Sequence, residues 1–153
     1  MFCYQCEETV KGTGCTIKGV CGKEEEIAAY QDVLVYLCKG ISVRNLVAME
    51  KKKGDPDAGL FIADALFATL TNVNFDKARF AALIDRAVTI RDRLPVSGSA
   101  EPDACTWKPD GESDILAKAP SVGTLSTADE DVRSLRSTLI FGLMGVAAYY
   151  THA

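Results

Sequence analysis

Four cysteines lie within the first 21 residues of the chain, close enough together to hold one metal centre. They are Cys3, Cys6, Cys15 and Cys21, separated by two, eight and five residues. Four thiolates can ligate a tetrahedral zinc ion or a four-iron cluster. Structural zinc sites usually pair their ligands about two to four residues apart, and only Cys3 and Cys6 are spaced in that way. The spacing therefore favours an iron–sulfur cluster, with zinc and disulfide bonds as the alternatives.

Glycines and lysines around these cysteines fit the same interpretation. A glycine lets the backbone approach closely and adopt positive φ angles, so that its N–H can donate to an inorganic sulfide. A cluster with four thiolate ligands carries net negative charge, which nearby lysines offset. Residues 1–23 have no apolar pattern that could form a core, so we expect a bound metal to order them. The segment contains Gly12, Gly14, Gly19 and Gly22, together with Lys11, Lys18 and Lys23.

The other residues that could do chemistry are expected to be structural. Cys38 lies in an apolar stretch, where a free cysteine acts as a small buried hydrophobic residue. Cys105 precedes Trp107 in an irregular region, and we expect Trp107 to be a packing residue. His152 is the only histidine, which argues against a Ser–His or Cys–His catalytic pair within this chain. We therefore assign no catalytic residue.

Apolar periodicity predicts three helices after the cysteine segment, the first over residues 24–49. Asp55 and Pro56 then provide an N-cap and a first helical residue, and Asn74 is expected to cap the third helix. Short connections between amphipathic helices imply an up-down-up three-helix bundle over residues 24–94. The faces predicted to be buried are Ile27, Tyr30, Leu34, Leu37 and Ile41 in the first helix, Leu60, Ala63, Phe67 and Leu70 in the second, and Phe80, Leu83, Ile84, Ala87, Ile90 and Leu94 in the third.

Residues 95–126 are rich in proline and glycine and are expected to form an irregular connection, interrupted by a helical turn around residues 115–118. The sequence TADE at residues 127–130 resembles a capping box and predicts a last helix over residues 127–153. This helix has no stop signal, so we expect it to be the truncated first helix of a second bundle in a longer protein. The alternative is a terminal helix docked onto the first bundle. Its predicted apolar face is Val132, Leu135, Leu139, Leu143, Val146 and Tyr150.

Composition narrows the class of protein. The chain has 153 residues and a net charge of −4, and an acidic chain without a basic run gives no reason to propose nucleic acid as a partner. No segment reaches the roughly 18 consecutive apolar residues of a membrane-spanning helix, so we expect no membrane partner. Almost no segment alternates apolar and polar residues with the period of two that is typical of a β-strand. The sequence therefore favours an all-α fold, in which a cysteine-rich loop precedes an up-down helical bundle. Without a signal peptide pattern, the expected location is the cytoplasm, where thiols stay reduced.

Several sequence motifs are shared with a known family. They are residues 1–9 (MFCYQCEET), 13–15 (TGC), 19–23 (GVCGK), 66–69 (LFAT) with Asn72, 104–107 (ACTW), 130–136 (EDVRSLR) and 145–149 (GVAAY). With these motifs in this order, the sequence closely resembles the N-terminus of hybrid cluster proteins, also called prismane proteins or hydroxylamine reductases. The resemblance covers nearly the whole chain, and its cysteine motif is highly specific.

This resemblance implies that Cys3, Cys6, Cys15 and Cys21 bind a [4Fe-4S] cubane, whereas members with wider spacing carry a [2Fe-2S] cluster. It also implies a helical N-terminal domain of two crossed three-helix bundles, in a protein several times longer whose fold is similar to carbon monoxide dehydrogenase. The family's reaction centre is a separate hybrid [4Fe-2O-2S] cluster, held by His, Glu and Cys residues of later α/β domains. We expect none of those ligands within this chain.

The resemblance further implies an oxidoreductase that reduces hydroxylamine to ammonia and water, or nitric oxide to nitrous oxide. In that enzyme the cubane would accept electrons from a redox donor protein and pass them to the remaining domains of the same enzyme. We expect this chain alone to catalyse neither reaction. The alternative hypothesis keeps the helical fold but places zinc, or no metal, in the loop, which would then have a binding or structural role.

Overall fold

The computed structural model describes residues 1–96, 98 and 100–153. These residues form an all-α fold without a β-strand, which confirms the predicted fold class. An isolated bridge joins Cys3 and Cys15. None of the helices in this part of the chain is long and apolar enough to cross a membrane. The five helices are α1 (Glu25–Glu50), α2 (Pro56–Ala68), α3 (Lys77–Arg93), α4 (Glu112–Val122) and α5 (Glu130–His152).

Helix α1 is the centre of the molecule, because α2, α3 and α4 all pack against it. Its predicted apolar face is buried, and Leu34 and Leu37 are completely inaccessible to solvent. The predicted face of α3 is buried as well, with Phe80 and Ala87 completely inaccessible. Burying apolar surface contributes about 25 cal/mol per Å², so the contact between α1 and α3 is a large source of stability.

Helix α2 departs from its predicted face because it lies between the main core and α5. Ala58, Phe61 and Ala65 point into the core with α1 and α3 and are completely buried. The predicted Leu60 is 46% exposed. A helix that buries residues on two sides has no single apolar stripe, which is why the periodicity was misleading. The other predicted residues, Ala63, Phe67 and Leu70, are partly buried in the small cluster shared with α5.

Two helix starts show how N-caps are chosen by geometry. The prediction for α2 is confirmed, since a carboxylate oxygen of Asp55 accepts from the Asp57 N–H at 2.9 Å. The prediction that Asn74 caps α3 is wrong. Asp76 is the N-cap and accepts from two backbone N–H groups of the first turn. Asn74 instead accepts from the Asp76 N–H at 2.9 Å and so supports the cap from outside the helix.

The predicted connection over residues 95–126 is more helical than the sequence indicated. The expected turn at residues 115–118 is part of α4, an 11-residue helix. Ile115 and Ala119 of this helix are buried in the main core. Pro120 lies in the last turn of α4 and has no N–H to donate to the helix backbone. Ser97 and Ser99 of the predicted connection lie outside the described residues.

Buried arginines hold this connection against α1 and α3. Arg44 donates to both carboxylate oxygens of Glu101, at 3.1 Å from Nε and 2.6 Å from Nη2. Arg91, which is completely buried, donates to the Ala104 carbonyl at 3.2 Å. Gly40 allows the approach, because a Cβ there would lie 2.0 Å from the Ala104 carbonyl oxygen. These contacts place the segment that leads into α4.

Helix α5 meets the bundle through one narrow side. Its N-cap is Asp129, which accepts from the Val132 N–H at 2.9 Å, so the prediction of a capping box at residues 127–130 is wrong. Met144 and Ala147 are buried in a cluster with Leu66 of α2. The face predicted to be buried is instead exposed by between 41% and 71%. It consists of Val132, Leu135, Leu139, Leu143, Val146 and Tyr150.

Candidate metal centre

Cys3 and Cys15 are held side by side by backbone hydrogen bonds. The Cys15 N–H donates to the Cys3 carbonyl at 2.9 Å, and the Phe2 N–H donates to the Cys15 carbonyl at 2.8 Å. Gly14 has a φ of +53°, in the left-handed region that favours glycine. A Cβ at this position would lie 2.6 Å from the Cys3 carbonyl oxygen. The close pairing of the first and third cysteines therefore depends on glycine at position 14.

Cys6 and Cys21 each lie in a tight turn. Cys6 begins a short 3-10 turn, and its carbonyl accepts from the Thr9 N–H at 3.1 Å and from the Thr9 hydroxyl at 2.7 Å. Cys21 lies in a turn that closes where the Gly22 N–H donates to the Gly19 carbonyl at 2.8 Å. Both cysteines are thus positioned by hydrogen bonds within the loop.

The four thiols of the loop are free to act as ligands, since none forms a disulfide bond. Cys15 is 9% exposed, Cys3 and Cys6 are partly buried, and Cys21 is exposed. Among the described residues, no three His, Cys, Asp or Glu side chains lie close enough to hold one metal ion. The cysteines are therefore not preassembled as a tetrahedral site. Four free cysteines on glycine-rich turns supply the type and number of ligands that a four-iron cluster uses.

A buried lysine anchors the cysteine loop to the bundle. Lys23 is 1% exposed, and its Nζ donates to Gln5 Oε1 and to Gln31 Oε1, both at 2.9 Å. Gln5 lies between the first two cysteines, and Gln31 belongs to α1. In the sequence only the charge of Lys23 is apparent, and neither glutamine stands out, because polar contacts between distant residues leave no periodic signal.

The two glutamines extend this anchor to the connection between α2 and α3. Gln5 Nε2 donates to the Thr69 carbonyl at 3.2 Å, and the Thr71 hydroxyl donates to the Gln5 carbonyl at 3.2 Å. Gln31 Nε2 donates to the Asn74 carbonyl at 3.4 Å. The loop is therefore fixed at its two ends, over the start of α1 and the end of α2.

Asp32 of α1 lies beside the loop, where it lines two cavities. One cavity is also lined by Cys3 and Tyr4, and the other, of about 470 Å³, extends between α1 and α4. Burial raises the pKa of Asp32 to about 7, although the positive charges of Lys39 and Lys23 act in the opposite direction. Burial also raises the pKa of Tyr4. Asp32 is thus the carboxyl group that titrates near neutral pH next to the loop.

The two remaining cysteines are buried in the helical part of the molecule. Cys38 is 3% exposed, as predicted, and burial raises the pKa of its thiol to about 12. Cys105 is completely buried, and its thiol donates to the Gly40 carbonyl at 3.7 Å. Burial raises the pKa of Cys105 as well. Because the thiolate is the form that reacts and binds metal, neither residue is suited to redox or ligand chemistry.

A comparison with protein families identifies the chain. The model of the Prismane/CO dehydrogenase family matches residues 1–153. The chain belongs to the Prismane/CO dehydrogenase family. This finding confirms the resemblance carried by the cysteine motif. Membership of the prismane family implies iron–sulfur cofactors in general.

Curated relatives cover the whole chain and share one name. The chain is 49% identical over 161 residues to the hydroxylamine reductase of Desulfitobacterium hafniense (strain DSM 10664 / DCB-2), covering 100% of this chain and 29% of the relative. It is 46% identical over 166 residues to that of Halothermothrix orenii, and 46% identical over 167 residues to that of Nitratidesulfovibrio vulgaris. Both matches cover 100% of this chain and 30% of the relative. The chain thus spans less than a third of these relatives and corresponds to their N-terminal part.

Proposed function

We propose that Cys3, Cys6, Cys15 and Cys21 hold a [4Fe-4S] cubane, and that this chain is the electron-transfer domain of a hydroxylamine reductase. The observation that carries the proposal is the presence of four free cysteines on one loop that is anchored to the bundle. Four thiolates are the ligand set of a cubane, and the family is one that implies iron–sulfur cofactors. A zinc-binding or metal-free structural module is the alternative that the experiment below must exclude.

The residues of this chain would hold, orient and shield the cluster. The backbone pairing of Cys3 with Cys15 brings two ligands to one side of the loop, and the turns at Cys6 and Cys21 supply the other two. Lys23 fixes both ends of the loop to α1, which limits the rearrangement needed when an electron arrives. The chemistry that the cluster supplies is reversible storage of one electron at a time.

The reaction of the whole protein is proposed from the names of the relatives, which are called hydroxylamine reductase. Hydroxylamine, two protons and two electrons give ammonia and water. The related reduction of two nitric oxide molecules consumes two protons and two electrons and gives nitrous oxide and water. We propose that the site of this chemistry is a hybrid [4Fe-2O-2S] cluster in the remaining domains of the enzyme. This chain would deliver the electrons.

The electrons would come from a redox donor protein in the cytoplasm. The exposed thiol of Cys21 supports delivery from outside, because a cluster ligated there lies close to the surface of this chain. The reducing conditions of the cytoplasm also keep ligand thiols free of disulfide bonds. Each turnover needs two electrons, so a donor that carries one electron at a time must deliver twice.

The ligand assignment is tested by the iron content of cysteine variants purified without oxygen. In residues 1–153, Cys6→Ser and Cys15→Ser each remove one proposed thiolate, and we expect each to lose more than half of the iron that the unmodified residues 1–153 bind. Cys38→Ala is the matched control, because it removes a buried thiol of α1 that is not in the loop. We expect it to keep its iron. The measurements are the content of iron and acid-labile sulfide per chain and the absorption at about 400 nm.

Two results would contradict the assignment. Iron retained in full by both serine variants would show that the loop cysteines are not the ligands. Zinc without iron in the unmodified protein would favour the alternative function. A folded Cys6→Ser protein, shown by a helical circular dichroism spectrum, is needed to separate ligand loss from unfolding.

A further inference from the structure

Lys23 is a buried cation that lacks a carboxylate partner. Its side chain is 1% exposed, and none of the salt bridges among the described residues involves it. Its ammonium group donates to two neutral amide oxygens, Gln5 Oε1 and Gln31 Oε1, at 2.9 Å each. The ring of Phe75 lies 5.8 Å away and adds a weak cation–π contact. Removing an ammonium from water is costly unless an anion compensates for it. In the helical part, Asp32 interacts with this charge but forms no salt bridge with it, which leaves the charge incompletely compensated.

The position of Lys23 shows where the compensating anion would lie. Gln5 is between Cys3 and Cys6, and Lys23 follows Cys21 by two residues. The Lys23 carbonyl also accepts from the Gly19 N–H at 2.8 Å. The ammonium group therefore lies where the first and last parts of the cysteine loop meet. A cluster with four thiolate ligands is the negatively charged group that this loop would enclose.

The charge of Lys23 acts beyond its own hydrogen bonds. It lowers the pKa of Asp32, in opposition to the larger effect of burial. Asp32 lines a cavity together with Cys3, so the field of the lysine extends to the part of α1 that faces the loop. In a partly buried environment, a fixed charge interacts more strongly with its neighbours than in water.

We propose that Lys23 is a positioning residue for the cluster, whose buried positive charge makes the cluster easier to reduce and whose hydrogen bonds close the loop. This inference rests on the proposed function, because it needs a cluster at the four cysteines. Adding an electron makes the cluster more negative, and a nearby fixed cation stabilises that state. Lys23 would thus set the reduction potential of the site in addition to anchoring it.

Two variants separate charge from anchoring. Lys23→Met keeps the length and apolar stem of the side chain but removes both the charge and the hydrogen bonds. Gln31→Glu keeps an oxygen acceptor facing Nζ and adds a negative charge that neutralises the lysine. Both should lower the reduction potential if the charge of Lys23 is what matters. Only Lys23→Met should do so if Lys23 is merely an anchor.

Lys53→Met is the control for a change of one charge. Lys53 is exposed and lies beyond the far end of α1, a helix of 26 residues and therefore about 39 Å long. A charge at that distance is largely screened by salt. We expect this variant to have the same cluster potential as the unmodified protein.

The measurement is a redox titration at one fixed pH, in which the EPR signal of the reduced cluster reports the reduced fraction of the oxygen-free protein. At the midpoint potential of the unmodified protein, we expect the ratio of reduced to oxidised cluster to fall about tenfold in Lys23→Met and in Gln31→Glu. For a one-electron couple this is a shift of about 59 mV to more negative potential. Iron content is measured on each sample before the titration.

The outcomes distinguish this inference from the proposed function. Iron-loaded Gln31→Glu protein with an unchanged potential would refute the role of the charge, even if Lys23→Met fails to fold. An unmodified protein without iron would refute the proposed function, and the role of Lys23 with it. A potential lowered equally in Lys53→Met would show that the effect is not specific to Lys23.

Discussion

Asp32 illustrates how strongly a single residue can respond to its surroundings in this fold. It lies on α1, partly buried, and burial raises the pKa of its carboxyl to about 7. In the unfolded chain the same carboxyl would have a pKa near 3.8. The folded protein therefore binds more protons than the unfolded chain between about pH 4 and pH 7. Stability falls as the pH rises through this window, because the carboxylate that is ionised in the unfolded chain must take up a proton before it is buried.

We predict that Asp32→Asn stabilises the protein at high pH. Asparagine has almost the same shape and no charge, so it avoids the cost of burying a carboxylate. The free energy of unfolding should exceed that of the unmodified protein by on the order of 2 to 4 kcal/mol at pH 8, since three pKa units correspond to about 4 kcal/mol. The measurement is urea unfolding at several values between about pH 4 and pH 8.5.

The pH dependence of the difference is the decisive feature of this experiment. The difference between the two proteins should shrink as the pH falls below about 7 and disappear only near pH 4, close to the ordinary pKa of the carboxyl. A difference that stays constant across the range would show that Asp32 does not titrate with a raised pKa in the folded state. Asp85→Asn, at an exposed position of α3, is the matched control and should change little at any pH.

The residues of the candidate site were predictable to different degrees. The four cysteines stand out by type and spacing, and the structure keeps all of them free of disulfide bonds. Gln5 and Gln31 could not be predicted, because their contacts with Lys23 join residues 18 and 8 positions apart without any pattern of hydrophobicity. The burial of Lys23 was missed for a related reason. Lysine is normally exposed, so its type alone indicates the opposite environment.

At the scale of helices, periodicity worked where one face is buried and failed where packing is two-sided or absent. Helices α1 and α3 each bury one stripe, and their predicted core residues are confirmed. Helix α2 buries residues on two sides, so no single stripe describes it. Only one turn of α4 was predicted because the segment around it is rich in proline and glycine, although the helix runs from Glu112 to Val122 and packs against the main core. The N-cap of α3 lies two residues after the predicted one, because Asp76 rather than Asn74 accepts from the backbone N–H groups of the first turn.

The exposed face of α5 is the element for which tertiary context matters most. Its six apolar residues were predicted to be buried, yet none is buried by the described residues. Isolated exposed apolar residues are normal on protein surfaces, whereas a continuous stripe marks a contact. The relatives are more than three times as long as this chain, since it covers 29% of one of them. We propose that further residues of a longer protein cover this face as part of a second helical bundle.

We predict that Leu139→Lys is harmless in residues 1–153 alone and disruptive in the longer protein. Leu139 is 63% exposed in this chain, and substitutions at such positions usually change stability by less than about 0.5 kcal/mol. In a buried interface the unpaired charge should cost more than about 2 kcal/mol. The measurement is thermal unfolding of both proteins with and without the substitution. Equal small effects in both would show that the face stays exposed.

In the whole molecule, the loop carries the proposed metal ligands and the bundle supports the loop. Lys23 connects the two. The bundle is a stable helical core, and it presents the start of α1 and the end of α2 as a platform. The loop has no core of its own and depends on polar contacts with this platform. Such an arrangement would let the proposed metal centre assemble while its ligand loop stays attached to the helices.

We propose that this loop holds a four-iron cluster. The decisive measurement is the content of metal and acid-labile sulfide in the unmodified protein purified without oxygen. Four thiolates around a cubane predict about four iron atoms and about four acid-labile sulfides for each cysteine loop, beyond those of any cluster elsewhere in the protein. Residues 1–153 reconstituted with iron and sulfide should show that ratio alone. One zinc ion for each loop, or no metal after reconstitution of a folded chain, would contradict the claim.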